Sequence, residues 1–313
     1  MAERDARRRE NGGKGGRGRG DRGPSRAAQA KRHIEDMARR FPDEIARSER
    51  GVRSYEGAPS PKGEGIVPVV SVVEEDSVAA VLRLGRGLAS ACDLAVLDFA
   101  SFLWPGGSYE RGAWGQEQAL CADSFLYNVL REKGDWYAEN RRRNVNCHLY
   151  RNRALVVPCV RFERDGYHSY ADVIVAAAPD ARRAREEYHV GEDALLAALR
   201  DRVRMVMAIA DELGHERLVL GAYGCGAFGW DAATVAEAFR AELAGGTHVA
   251  REVTFAVPRG RADENLEVFE HALATFPEVN EAPYVSRAER AAEQAREAAA
   301  VEDADEDDWR QYL

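Results

Sequence analysis

Two glycine-rich loops, each lying between an apolar strand and the polar start of a helix, constrain this chain more than any other feature. The first runs from the strand Leu94 to Phe99 through Trp104-Pro-Gly-Gly-Ser-Tyr109 to Gln116-Glu117-Gln118. The second follows Arg217-Leu-Val-Leu220 and reads Gly221-Ala-Tyr-Gly-Cys-Gly-Ala-Phe-Gly-Trp-Asp231. Strands that read as near-continuous Val, Ile and Leu runs have no solvent face, so helices must cover both sides of their sheet. The implied fold class is α/β, a three-layer α/β/α sandwich around a central mixed sheet. Such sheets bind ligands beyond the carboxyl ends of their strands, where loops feed helix N-termini, and both glycine loops lie there.

The remaining pattern agrees. Ile66 to Val73 reads as a strand, and Asp76 or Ser77 caps a helix reaching about Leu88. Glu117 to Leu130 reads as a helix, and Leu155 to Val160 and Val173 to Ala178 as strands flanking a charged, aromatic loop, Arg161 to Tyr170. A long amphipathic helix, Leu195 to Leu213, precedes the strand Arg217 to Leu220. The helix Ala232 to Leu243, the strand Val253 to Val257 and the helix Asn265 to Phe276 complete the core. Upstream, Ile34, Met37, Ala38, Phe41 and Ile45 recur at helical spacing, with Pro42 dividing two short helices, and Gly51 to Gly65 reads as a loop. The expected division is therefore a disordered Arg/Gly-rich tail (1–30), short helices and a linker (31–65), the sandwich (66–276) and an acidic helical tail (277–313). The first segment cannot bury enough apolar surface to offset its chain entropy.

A net charge of −9 argues against a protein that coats nucleic acid over its whole surface. Charge is nevertheless uneven: residues 1–32 hold eleven Lys/Arg against four Asp/Glu, a net of +7, and residues 276–313 hold four against eleven, a net of −7. The basic tail suits contact with a polyanion, because guanidinium groups bind phosphates bidentately, or it is a solvated arm. Five cysteines, odd in number and without a C-x-x-C pair, read as reduced thiols of a cytoplasmic protein. The seven histidines form no H-x-x-x-H or H-x-E pattern, and the adjacent Cys147 and His148 cannot easily face one metal, so neither metal nor cofactor is expected. The N-terminus lacks the apolar run of a signal peptide, and no stretch approaches the roughly 18 apolar residues of a membrane helix. A monomer free of membranes is expected.

Three glycines in six residues let the amides of the second loop turn toward an anion, and the helix capped by Asp231 points its N-terminus at the same place. That is a diphosphate cradle. Gly224-x-Gly-x-x-Gly229 also satisfies the dinucleotide fingerprint formally. The acid required at the end of the next strand is absent, since the single candidate, Glu252, opens that strand, so the context argues against a nicotinamide or flavin site. Cys225 reads as a small buried group rather than a nucleophile. Glu117 could serve only the helix dipole, Phe228 could be ordinary core, and Tyr167, His168 and Tyr170 could stack a base or simply decorate a surface loop.

In combination, Asp98-Phe-Ala-Ser, Pro105-Gly-Gly-Ser-Tyr, Gln116-Glu-Gln-Ala-Leu-Cys121 and Leu218-Val-Leu-Gly-Ala-Tyr-Gly-Cys-Gly-Ala-Phe-Gly229 resemble the microbial-type poly(ADP-ribose) glycohydrolases, a branch of the macrodomain superfamily. The resemblance covers most of residues 60–275. It implies that ADP-ribose, free, polymeric or attached to a macromolecule, is the ligand. The amides of Gly224, Cys225 and Gly226, with Ala227, would hold the diphosphate, and Phe228 would pack on the terminal ribose. Gly106, Gly107 and Ser108 would approach that ribose from the other side, with Asp98 and Gln116 completing the site. In the family the first Glu of Gln-Glu-Glu bonds ribose hydroxyls, and the second protonates the departing ribose oxygen while water attacks the anomeric carbon. Those roles fall on Glu117 and Gln118 here, and an amide cannot supply a proton. Ser108 also replaces the family's third glycine, and Trp104 stands where an Asn is common. Two functions are open: a hydrolase of ADP-ribosyl bonds that tolerates Gln118, and a reader that binds ADP-ribose without cleaving it.

Overall fold

The computed structural model describes residues 24–60, 63 and 65–296. Its elements in chain order are α1 (Arg26–Arg40), α2 (Pro42–Gly51), β1 (Arg53–Glu56), β2 (Val69–Val73), α3 (Ser77–Leu84), β3 (Leu94–Phe99), α4 (Gln116–Ala122), α5 (Leu126–Leu130) and α6 (Gly134–Arg143). There follow β4 (Arg153–Arg164), β5 (Tyr167–Ala176), α7 (Ala181–Tyr188), α8 (Glu192–Leu213), β6 (Arg217–Leu220), α9 (Ala232–Ala244), β7 (Glu252–Ala256) and α10 (Asn265–Leu273). Beyond them residues 287–296 are helical, and all but the half-buried Arg287 are exposed.

The seven strands form one mixed sheet in the order β1-β4-β5-β3-β6-β7-β2. β5, β3, β6, β7 and β2 run parallel, while β4 is antiparallel to β5 and to β1. Successive side chains of a strand alternate faces, and β3 shows the result. Leu94 and Val96 join a core shared with α1, α3, α4 and α5, and Ala95 and Leu97 join a second core shared with α8, α9 and α10. Helices thus cover both faces, and the α/β/α sandwich read from the apolar strands is the fold.

Several expectations need correction. Helix α1 starts at Arg26, inside the stretch assigned to the tail, because Ser25 caps it by accepting from Ala28 N at 3.3 Å. Its buried stripe Ala30, Ile34 and Met37 lies in the first core. Complete burial of Ile34 or Met37 contributes about 1.5–3 kcal/mol each, so Ile34→Asp would detach the helix. Strand β1, inside the segment read as a loop, pairs with β4 from Arg53↔Val156 to Glu56↔Arg153. Residues 26–60 are therefore part of the sandwich rather than a linker before it. Residues 1–23 and 297–313, which carry most of the basic and acidic tails, lie outside the described residues.

The helix expected from Glu117 to Leu130 is two helices. Between them the Ser124 hydroxyl donates to Leu120 O at 2.6 Å and accepts from Leu126 N at 3.0 Å, so it takes over the backbone bonds that would continue the helix. The strands around the charged loop are one long hairpin, β4–β5, with a bulge between Val157 and Val160. Helices α6 and α7 went unread because their sequences are mostly charged and bury little besides Tyr137, Asn140, Ala181 and Ala184.

Candidate active site

A cleft of about 950 Å³ opens at the carboxyl ends of β3, β5, β6 and β7. Its floor starts with Gln116, whose three hydrogen bonds all go to the framework. Gln116 Oε1 accepts from Phe99 N at 2.9 Å, and Nε2 donates to Leu97 O at 2.9 Å and to Ser77 Oγ at 3.0 Å. Both amide hydrogens are spent, so Gln116 fastens the start of α4 to the end of β3 and thereby positions Glu117.

Glu117 is 3 % exposed. Its Oε2 accepts from Ser101 N at 2.9 Å, whereas Oε1 has no hydrogen-bond partner in the protein. Burial, then the charge of Asp98, holds its carboxyl well above the usual carboxylate range, against the pull of the Ser101 amide. Asp98 itself is completely buried, neither carboxylate oxygen has a partner, and desolvation raises it strongly too. It lies behind the cleft wall. The pair is therefore a buried source of a proton, with only the Glu117 member lining the cavity.

Gln118 also lines the cleft, but its amide is turned into the glycine loop. Nε2 donates to Gly106 O at 3.0 Å and approaches Gly107 O at 3.4 Å. Those residues form a left-handed turn, with φ of 60° at Gly106, 54° at Gly107 and 70° at Ser108. A Cβ at Gly106 would strike the Tyr127 ring, and one at Gly107 would strike the Glu117 and Gln118 side chains. Glycine is thus required twice by space and by φ. Ser108 takes the same conformation with a Cβ, where an L residue is strained. Of the three, Gly107 and Ser108 reach the cavity, and Gly106 faces Tyr127 instead.

The second loop forms the opposite wall. The Cys225 amide is used inside the turn, donating to Ala222 O at 3.2 Å. The amides of Gly226, Ala227 and Phe228 have no acceptor among the described residues. Three free donors in a row, in front of the helix that Asp231 caps through Thr234 N at 2.9 Å, make an anion cradle. Gly224 (φ 80°) packs where a Cβ would meet Trp230 and Ala178, while a Cβ at Gly226 would meet nothing. The Cys225 thiol packs into the core, and burial pushes it up to about 12, so it is no nucleophile. Phe228 stands between cleft and core, its ring 6.2 Å from that of Tyr150.

Sequence reasoning missed part of the wall. Tyr150, Asp180, Arg183, Asp263 and the segment from Ala256 to Gly260 also line the cleft. Asp180 repeats the visible pattern of strand, loop and capped helix, accepting from Arg183 N at 3.0 Å. Tyr150 follows a left-handed stretch in which Asn146, Cys147, His148 and Tyr150 itself all have positive φ, and no glycine announces it. The fully buried Arg202 of α8 holds that stretch, donating to Tyr150 O at 3.1 Å, Arg151 O at 3.2 Å and Ala177 O. At the mouth, Trp104 is covered by the Arg141 guanidinium, 4.0 Å from its ring centre. The aromatic hairpin is not brought to the cleft: Tyr170 bonds Glu44 and Arg161, and Tyr167 is exposed.

A doubly covered mixed sheet, with a left-handed glycine turn facing an amide cradle across one cleft, defines a macrodomain-type ligand-binding domain. The profile described as "Microbial-type PARG, catalytic domain" matches residues 26–165. The poly(ADP-ribose) glycohydrolase from Thermomonospora curvata is 31 % identical, with 78 % of this chain and 97 % of that chain covered and a TM-score of 0.66. The same enzyme bound to the inhibitor ADP-HPD aligns with a TM-score of 0.65, at 31 % identity over 78 % and 97 % of the two chains. The poly(ADP-ribose) glycohydrolase from Deinococcus radiodurans in complex with ADP-ribose is 30 % identical, with 76 % and 99 % covered and a TM-score of 0.66. No curated protein matches the chain. The chain belongs to the microbial-type poly(ADP-ribose) glycohydrolase family. Among the described residues no helix is long and apolar enough to cross a membrane.

Proposed function

We propose that this chain binds ADP-ribosyl groups, with the diphosphate on the amides of Gly226 to Phe228 and the terminal ribose between Phe228 and Glu117, and that it hydrolyses their ribose glycosidic bond with Glu117 as the acid. The observation that carries this reading is the Glu117 carboxyl, which lines the cleft, keeps one oxygen without a hydrogen-bond partner and is pushed toward its neutral, proton-bearing form by burial. In the step, Glu117 gives its proton to the departing ribose oxygen as the bond to the anomeric carbon breaks. Water bonds to that carbon and returns a proton to the carboxylate. Gln118 cannot donate, and its amide braces the glycine turn instead. The relatives' complexes with ADP-ribose and ADP-HPD support the choice of ligand. The basic segment preceding α1 would add a polyanion contact that favours polymeric substrate, and the chain would act as a monomer.

The reader hypothesis rests on the same amide: without an acid at position 118, binding could outlast catalysis. Release of ADP-ribose from poly(ADP-ribose) decides the matter. Turnover by wild type that falls at least about 10²-fold in Glu117→Gln, with ADP-ribose affinity retained, supports the acid role. Binding without turnover in wild type makes the protein a reader.

A further inference from the structure

At the end of the sheet opposite the cleft, where β3 and β6 begin, chemistry-bearing side chains meet from distant parts of the chain. Cys92 lies just before β3, Cys159 sits in the bulge of β4, Asp172 occupies β5 opposite Ala95, and His215 precedes β6. One donor atom from each of Cys92, Cys159 and Asp172 lies within 4.8 Å of the other two. Cys92 Sγ is 3.6 Å from Asp172 Oδ1, and the other oxygen, Oδ2, is 3.0 Å from His215 Nε2. Asp172 is buried and the two cysteines are half-buried.

We propose that Cys92, Cys159 and Asp172 form a binding site for a zinc-type divalent metal, with His215 orienting the carboxylate from behind or closing the fourth position. The distances carry this. With metal bonds of about 2.3 Å to sulfur and about 2.1 Å to oxygen, a tetrahedral angle puts the two donors about 3.6 Å apart, the separation observed for Cys92 Sγ and Asp172 Oδ1. Two thiolates, a carboxylate and an imidazole suit a borderline-soft ion rather than magnesium or calcium. The imidazole bonded to the carboxylate is the outer-shell partner that metal-bound ligands usually have. The site would tie together the starts of β3 and β6 and the bend of the β4–β5 hairpin, so its role is structural. Sequence spacing could not reveal it, because its residues come from four separate segments, and metal bound there would overturn the expectation of none.

The test uses the full chain, reduced and freed of metal by chelation, and titrated with cobalt(II) alone and then zinc(II) alone. One equivalent of cobalt should bind with the intense near-ultraviolet absorption of thiolate ligation, and zinc should displace it. Cys92→Ser, Cys159→Ser and Asp172→Asn should each weaken binding at least about tenfold, and Cys147→Ser, at an exposed cysteine, should leave it unchanged. Circular dichroism of each apoprotein checks that the variant is folded. Should the double variant Cys92→Ser, Cys159→Ser misfold, thiol alkylation of wild type serves: bound zinc should protect two cysteines. Failure to bind one equivalent, thiolate absorption that survives in the cysteine variants, or a native mass showing Cys92 and Cys159 joined as a disulfide would overturn the proposal.

Discussion

Replacing Gln118 by Glu exchanges a donor for a group that is an acceptor when ionised, at a place where two carbonyls already point. Gln118 Nε2 donates to Gly106 O at 3.0 Å and lies 3.4 Å from Gly107 O, and the residue is 7 % exposed. Losing the bond costs about 1 kcal/mol, and setting a buried carboxylate against the two oxygens about 1–3 kcal/mol more. When protonated, the new group can donate to Gly106 O and most of that cost vanishes. A carboxyl raised in the folded state binds more protons there than in the unfolded chain, so stability must fall as pH rises through that range. Gln118→Glu should therefore match wild type at about pH 4 and melt about 4–16 °C lower at about pH 8, taking about 2–4 °C per kcal/mol for a domain of this size. The same preference for the neutral form is what a general acid needs. Where proton donation by Glu117 limits the reaction, the second acid should raise turnover of poly(ADP-ribose) by up to about 10²–10⁴-fold, most in mild acid and least at high pH. An equal melting difference at both pH values would refute the carbonyl argument. The pH-dependent melting without any gain in turnover would show that proton donation is not limiting.

Three further outcomes are expected. Gly226→Glu, whose Cβ meets nothing, should place a carboxylate where the diphosphate sits and abolish ADP-ribose binding by calorimetry with the melting temperature unchanged; unaltered affinity would displace the ligand from this loop. Asp98→Asn removes a charge that helps raise Glu117, so the decline of turnover with rising pH should begin at lower pH, and an unmoved profile would show that Asp98 does not tune the acid. Burial opposes the charge on His248, but Asp211 at 2.8 Å and Glu242 at 3.2 Å outweigh it and raise the group from 6.5 to about 9. That stabilisation is complete below the unfolded value and is lost through the folded one, so the unfolding free energy measured in urea should fall between those limits by about 3 kcal/mol in all, and His248→Gln should flatten the dependence.

Much of this molecule was legible because its strands are buried on both faces. Leu94 to Phe99 and Arg217 to Leu220 have the bounds read from the sequence: Asp93 marks the start of the first, and Arg217 and Gly221 bracket the second. The caps Asp76, Asp180 and Asp231 each accept from the amide three residues on, but only Asp76 and Asp231 stood beside an apolar run that drew attention to them. What stayed hidden depends on distant parts of the chain. β1 is an edge strand with a single buried residue, Tyr55, so no alternation marks it. The left-handed run before Tyr150 contains no glycine, because the framework, through Arg202, imposes it. In the site, the family resemblance suggested Asp98 and Gln116 as ligand contacts, yet the fold commits Gln116 to the framework and seals Asp98 away; only packing distinguishes a residue that touches a ligand from one that positions its neighbour.

The two departures around the first glycine loop are linked by this geometry. Ser108 adopts φ 70° where a glycine would rest without strain, a cost of about 1–2 kcal/mol. The turn keeps that shape because the Gln118 amide holds the preceding carbonyls from below, and an amide donates at every pH. A carboxyl in its place holds the same carbonyls only while protonated, so a strained residue in the turn demands more of it. It follows that the strain of Ser108 and the amide of Gln118 offset one another, and that Ser108→Gly should soften the damage done by Gln118→Glu rather than add to it. The expected coupling is about 0.5–3 kcal/mol, the range for residues sharing one network, measurable as a double-mutant cycle in urea. Independent effects of the two substitutions would separate them, leaving Ser108 as a local oddity and Gln118 as a brace that holds the turn whatever residue stands at 108.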